Sequence, residues 1–164
     1  MVLLSPGGIG TTRSLPPKGL TALLNYYPGD GPSRAKMRSF MREYLVFDPD
    51  AIPEDLIDAR YQASLDPEVV ANPPLRRPTG RGMFSTLKRM DFTRDRRRVA
   101  RCRVPTLAIW GTHDRVTRPS GGMWLARTMP RCDLHLFAET GHWVQFDRAD
   151  RVNELILGWA SDRC

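Results

Sequence analysis

Short apolar runs stand at the start of the chain and in its last third, and the pattern between them is helical. Met1-Val-Leu-Leu-Ser5 reads as a minimal buried strand, closed by the turn residues Pro6-Gly-Gly8 and Gly10. From Lys18 to Val70 the apolar residues recur at helical spacing. Leu20, Leu23, Leu24 and Tyr27 make a first stripe. Ser33, after Pro28-Gly-Asp-Gly-Pro32, suits the N-cap of a second helix with Met37, Phe40, Met41, Tyr44 and Leu45 on its apolar face. A third helix with Pro53 in its first turn carries Leu56, Ile57, Tyr61 and Leu65, and Arg60 falls at the margin of that face. Core packing accounts for most of these methionines and aromatics.

Asn72 to Arg103 is broken by Pro73-Pro74, Pro78, Gly80 and Gly82, and reads as a connection with a short helix near Phe84 to Met90. It returns the chain to Val104-Pro-Thr-Leu-Ala-Ile-Trp110, an apolar run that stops at Gly111-Thr-His-Asp114. A helix over Ser120 to Met129 follows, with Met123, Trp124 and Ala126 available for packing. Asp133 to Phe137 is the next strand, and it leads into Gly141-His142-Trp143. Asp147 or Asp150 is placed to cap a last helix whose inner face is Val152, Leu155, Ile156 and Trp159. Strand, helical segment, strand, helix, strand, helix is the order of the carboxyl half of a doubly wound α/β sheet. The chain divides into a core strand and loop over 1–12, a helical segment with its return connection over 13–100, and an α/β core over 101–164.

A length of 164 residues with 41% hydrophobic content suits one soluble domain. No apolar run approaches the roughly 20 residues that span a bilayer, and the start has neither the basic region nor the length of a signal peptide. The three cysteines, Cys102, Cys132 and Cys164, show no C-x-x-C spacing, so reduced thiols in a cytoplasmic protein without metal or cofactor are expected. The net charge of +7 is concentrated: 11 Lys and Arg fall between Arg76 and Arg103, against Asp91 and Asp95. Without interleaved aromatics, zinc ligands or a recognisable module, this stretch reads as a solvated face and not as a nucleic-acid site.

The chemistry collects at two strand ends. If the strands are parallel neighbours, Asp114 and His142 leave the same edge of the sheet, where ligands of open α/β sheets bind. An acid and a base so placed are two thirds of a catalytic triad. His113 and His135 lack this context and read as an exposed turn residue and a strand residue.

These residues carry a resemblance. Asp114 in Trp110-Gly-Thr-His-Asp-Arg-Val116 and His142 in Gly141-His-Trp143 resemble the acid and base of the α/β-hydrolase fold, in which the nucleophile precedes the acid and the acid precedes the histidine. Leu3-Leu-Ser-Pro-Gly-Gly8, Ile109-Trp-Gly111, Leu134-His-Leu-Phe137 and Gly141-His-Trp-Val-Gln145 resemble the meta-cleavage-product hydrolases, which break a carbon–carbon bond in ring-fission products of aromatic or steroid catabolism. The resemblance covers nearly the whole chain. It implies His142 as general base and proton shuttle, Asp114 as the residue that fixes its tautomer, and Trp143 as a wall of the substrate cavity. It further implies that the helical segment is a lid, with Arg60 in Leu56-Ile-Asp-Ala-Arg-Tyr61 meeting a small dienoate substrate.

One part of the pattern is missing. No G-x-S-x-G occurs in the sequence. Ser5 lacks the first glycine and sits on the wrong strand, and Ser120 lacks it too and follows the acid. The implied fold is therefore the carboxyl-terminal part of an α/β hydrolase, three parallel strands with flanking helices plus a helical lid, with no nucleophile in this chain. Inactivity alone is expected, with association or a need for an amino-terminal half, because the first strand would present an unpaired apolar edge. An esterase or epoxide-hydrolase relative, a non-catalytic remnant that binds a partner or small acid, and a nucleic-acid module are the competing readings.

Overall fold

Three strands form one parallel sheet in the order β1-β2-β3, with β1 at Val2–Leu4, β2 at Thr106–Gly111 and β3 at Cys132–Phe137. They belong to a computed structural model that describes residues 1–9, 16–75 and 96–162. Between β1 and β2 come α1 (Lys18–Leu24), α2 (Arg34–Phe40) running into a π-helical turn (Met41–Leu45), α3 (Glu54–Ser64), α4 (Pro67–Ala71) and α5 (Arg96–Arg101). Helix α6 (Ser120–Thr128) joins β2 to β3, and α7 (Val144–Asp147) and α8 (Ala149–Ser161) follow.

The middle strand explains its own sequence. All six residues of β2 are buried, as a central parallel strand covered on both faces requires, so it reads as a continuous apolar run and not as an alternation. Leu107 and Ile109 point to one face, where Phe137, Val144 and Val152 meet them under Leu155, Ile156 and Trp159 of α8. Ala108 and Trp110 point to the other, against Leu125 and Met129. The helices between β1 and β2 have a core of their own. Met41, Leu45, Val46, Ile52 and Ile57 pack together and reach Val116 on the loop after β2. Ser33 caps α2 as its position suggests, accepting from the Lys36 N–H at 3.2 Å. Arg34 ties α2 to α3 through Glu54 and Asp58.

Several local expectations give way to packing. Met123 is 43% exposed, and α6 instead buries Gly121, Gly122 and Leu125. The glycines let the helix lie close to the sheet: a Cβ on Gly122 would fall 2.7 Å from Leu134 Cδ1 and 2.9 Å from Trp110 Cε3. Helix α1 ends at Leu24, before Tyr27, and Leu65 is exposed at the end of α3. Pro53 stands at the N-cap of α3, one position ahead of its first turn. Neither Asp147 nor Asp150 caps α8, whose N-cap is Arg148 without a side-chain bond. The helix expected near 84–90 and most of the basic stretch lie outside the described residues.

Strand β1 pairs with β2 alone among the described residues, and Val2 and Leu4 on it are each 36% exposed. Among the described residues nothing pairs with its other edge, which leaves backbone groups beside apolar side chains, the condition under which strands recruit a second chain. The isolated chain is predicted to self-associate as its concentration rises, and Val2→Lys with Leu4→Lys to reduce that association, measured by analytical ultracentrifugation. A monomer at all concentrations with a single sharp unfolding transition refutes this.

Candidate active site

Parallel pairing sends the chain out of β2 and β3 at one edge, and the backbone then locks the two exits together. The Thr112 N–H donates to Phe137 O and the His113 N–H to Thr140 O, both at 2.9 Å. Gly111 makes this approach possible: a Cβ there would sit 2.1 Å from Gly141 O and 2.2 Å from Thr140 O. Gly141 is held as tightly from above, since its Cβ would fall 2.7 Å from the Val46 carbonyl carbon. The Trp143 N–H donates to Leu45 O at 2.7 Å, so the end of the π-helical turn rests on the histidine loop.

This framework brings Asp114 and His142 together, with Nδ1 of the imidazole 2.9 Å from Oδ2 of the carboxylate. Asp114 is buried, and each of its oxygens has further donors. Oδ1 accepts from the Val116 and Thr117 N–H groups at 2.8 Å each, and Oδ2 accepts from Thr117 Oγ1 at 2.7 Å. A carboxylate offers no proton, so the proton of this contact resides on His142 Nδ1, and Nε2 is left with a lone pair for chemistry. Thr117 is itself fixed by accepting from Trp110 Nε1 at 3.1 Å. Thr117 escaped the sequence reading, although a hydroxyl three residues after an aspartate is the spacing of a local capping turn.

His142 and Trp143 line a cavity of about 400 Å³ together with Arg60 and Val116. Arg60 leaves the exposed side of α3 and lays its guanidinium over the Trp143 ring, Cζ 5.1 Å from the centroid. That cation–π contact holds the positive charge against the residue that follows His142. Of the four residues singled out from sequence, Arg60, His142 and Trp143 face one space, and Asp114 stands behind His142.

The other candidates are elsewhere. Ser5 closes β1 with φ +42°, and its buried Oγ has no hydrogen-bond partner. Its carbonyl lies 3.3 Å from Thr117 Oγ1, on the Asp114 side of the pair. Ser120 is the first residue of α6. His113 is exposed and packs edge-on to Phe47, and His135 packs beside Phe137 within β3. Among the described residues no three His, Cys, Asp or Glu side chains gather as a metal site, and no helix is long and apolar enough to cross a membrane.

Asp147 has a different task from the capping expected of it. Its Oδ2 accepts from the Gly141 N–H at 2.6 Å and from the Phe47 N–H at 3.0 Å. One carboxylate thus fastens the residue before His142 to the segment leaving the π-helical turn. Burial raises its pKa above the ordinary carboxylate range, against the lowering effect of those two donors and of Arg148.

The model of the alpha/beta hydrolase family matches residues 1–155. The chain belongs to this family. Within it, a 2-hydroxy-6-oxononadienedioate/2-hydroxy-6-oxononatrienedioate hydrolase from Pseudomonas sp is 30% identical over 97% of the chain and 53% of its own length. A 2-hydroxy-6-oxo-6-phenylhexa-2,4-dienoate hydrolase from Comamonas testosteroni is 28% identical over 99% of the chain and 54% of its own length. Among solved structures, the meta-cleavage product hydrolase of Pseudomonas fluorescens IP01, in a mutant form with acetates, superposes with a TM-score of 0.79 at 26% identity. That match covers 100% of this chain and 56% of the other. The chain therefore spans about half the length of the relatives it matches. The sheet, the flanking helices and the family assignment agree with what the sequence motifs imply.

Two predictions follow from the loop contacts. Gly111→Ala drives a methyl group into two carbonyl oxygens and should cost about 3 kcal/mol or more, read by urea denaturation. A raised folded pKa means that the Asp147 contribution to stability is fully present below about 3.9, the unfolded value, and is lost as pH rises through the folded value. Asp147→Asn keeps an acceptor oxygen and removes this proton-linked term, so its stability should fall less than the parent's over that rise. Parallel pH profiles of the two proteins contradict the assignment.

Proposed function

We propose that this chain carries the acid, the base and the substrate cover of a hydrolase that cleaves a carbon–carbon bond in a meta-ring-fission product of the 2-hydroxy-6-oxo-dienoate type. The observation that supports this best is the convergence of Arg60, Trp143 and the Asp114-held His142 on one cavity. A lone acid–base pair serves many hydrolases. An arginine fixed beside it suits a substrate that begins as a carboxylate and develops enolate charge, because guanidinium pairs with such oxygens bidentately.

In this reading residues 13–100 form the lid, and residues 1–12 with 101–164 form the core. His142 Nε2 takes the proton of the 2-hydroxyl and returns it to carbon as the dienol becomes a ketone. It then serves as base for the attack of a serine on the 6-carbonyl, the carbon–carbon bond breaks to release the dienoate and leave an acyl-serine, and a water deprotonated by His142 frees the acid and returns the serine. Asp114 stabilises the imidazolium at each stage. Arg60 neutralises the dienolate, and Trp143 walls the cavity. The nucleophile would come from a serine elbow on an amino-terminal segment pairing along β1, which is also where the oxyanion donors would lie.

Offered a 2-hydroxy-6-oxo-6-phenyl dienoate, the isolated chain is predicted to give no turnover. Co-expressed with the elbow-bearing amino-terminal half of a relative, it is predicted to become active and to lose at least about a hundredfold on His142→Ala. Turnover by the isolated chain that depends on His142 overturns the assigned role of the missing serine. A reconstituted enzyme indifferent to His142→Ala overturns the site.

A further inference from the structure

Two charged side chains beside the site have no part in the chemistry above, and both reach the same short stretch of backbone. Arg115 directly follows the acid, and its Nη1 donates to Glu43 O at 2.8 Å. Asp147 comes after the base. Its Oδ2 accepts from the Phe47 N–H at 3.0 Å while also holding the Gly141 N–H at 2.6 Å. Between these contacts the Trp143 N–H donates to Leu45 O at 2.7 Å. Residues 43, 45 and 47 are therefore bonded in turn to the acid loop, to the residue after the base, and to the carboxylate that holds the residue before it.

A helix end makes such contacts available. The last carbonyls of a helix have no N–H further along to accept from, and they carry partial negative charge that suits an arginine. The π-helical turn ends at Leu45, and Val46 leaves it extended with φ −117° and ψ 162°. Turns of this kind are wider than α-turns and recur at functional sites. Met41 and Leu45 of the same turn line the cavity, so one turn meets the cavity with its side chains and the two loops with its carbonyls. On the acid side the contact is doubled. The Gly19 N–H donates to Arg115 O at 2.9 Å, and a Cβ on Gly19 would fall 2.7 Å from that oxygen and 2.9 Å from Tyr44 Cβ.

We infer that Arg115 and Asp147 are positioning residues of the acid–base pair, which they set by clamping the π-helical turn between the two loops. This rests on the reading of Asp114 and His142 as acid and base. Both side chains act through the main chain and not on the substrate. The strand exits keep their own bonds, Thr112 N–H to Phe137 O and His113 N–H to Thr140 O, so the end of the sheet does not need the clamp. Beyond those bonds the clamp fixes where the carboxylate and the imidazole stand. Their 2.9 Å contact selects the Nδ1–H tautomer, and a displacement of about 1 Å is enough to cost about a hundredfold in rate.

The test reads the tautomer directly, from the imidazole 15N shifts of His142 in the 164-residue chain at a pH where the ring is neutral. The parent is expected to show a protonated Nδ1 and a bare Nε2, assigned by their loss in His142→Ala. Arg115→Met, which keeps the stem of an exposed side chain and removes its donors, is expected to move both shifts towards a mixture of tautomers. Asp147→Ala is expected to do the same, and Asp147→Asn, which keeps an acceptor, to stay with the parent. In enzyme reconstituted with the amino-terminal half of a relative, Arg115→Met is expected to lower kcat at least about tenfold with KM within about threefold. Parent-like shifts and kcat in Arg115→Met overturn this inference and leave the acid–base reading standing, as does a rise in KM with kcat unmoved. Mixed shifts in Asp147→Asn as well as in Asp147→Ala overturn the role of the Asp147 acceptor. Mixed shifts in the parent remove the fixed pair, and this inference with it.

Discussion

The site depends on a place where two backbones meet with no side chain between them. Gly111 ends β2 against the carbonyls of Thr140 and Gly141, and Gly141 in turn lies under Leu45 and Val46. Three segments that are remote in sequence thereby share one contact: the acid loop, the base loop and the end of the π-helical turn. Every longer-range relation follows from it. The 2.9 Å spacing of Asp114 and His142 is set by loops already bonded to each other, so little freedom is left to the side chains. Trp143 reaches the cavity because its own N–H is held by Leu45 O. A rigid main chain is the cheaper way to hold such a pair, since packed backbone tolerates almost no adjustment, whereas an unconstrained histidine must lose rotamer freedom each time it acts.

The acid side of the site is saturated and the base side is open. Asp114 receives two N–H groups, a hydroxyl and an imidazole, and has no remaining reason to interact with a ligand. Its role is confined to His142. Thr117 completes the arrangement by joining Asp114 to Trp110 in the sheet, so the acid is anchored to the core. Ser5 belongs to the same buried side. A serine at a strand end with positive φ has the outward form of a nucleophile, yet its hydroxyl is buried and makes no hydrogen bond to His142, whereas a nucleophile must meet the base.

What was legible in the sequence follows from range. The strands were legible because a central parallel strand is apolar at every position, as Thr106–Gly111 is, and because both runs end beside a glycine. Asp114 and His142 were legible because parallel topology alone puts two strand ends on one edge. Met123 misled because helical spacing does not say that two adjacent glycines will be drawn against the sheet, turning the methionine outward. Asp147 misled for a related reason. An aspartate just before a helix has a local use as a cap, and here the unpaired N–H groups of Gly141 and Phe47, one of them 100 residues away, offered a better one. Tyr26 and Ser64, 38 residues apart, had no local signal at all.

The cavity shows why aromatic stripes resist functional reading. On a helix, Met37, Phe40 and Met41 look like core, and part of each is: the same residues pack on Ile52 and Ile57 while also facing the cavity. An apolar residue does not change its chemistry when the neighbour is a ligand in place of another side chain, so periodicity cannot separate the two uses. Polar residues among them can. A buried hydroxyl must place its proton somewhere, and the direction of that proton is a property of the whole network. Tyr26 donates inward because Ser64 has already donated to Tyr61 O, and that order depends on a carbonyl at the end of α3.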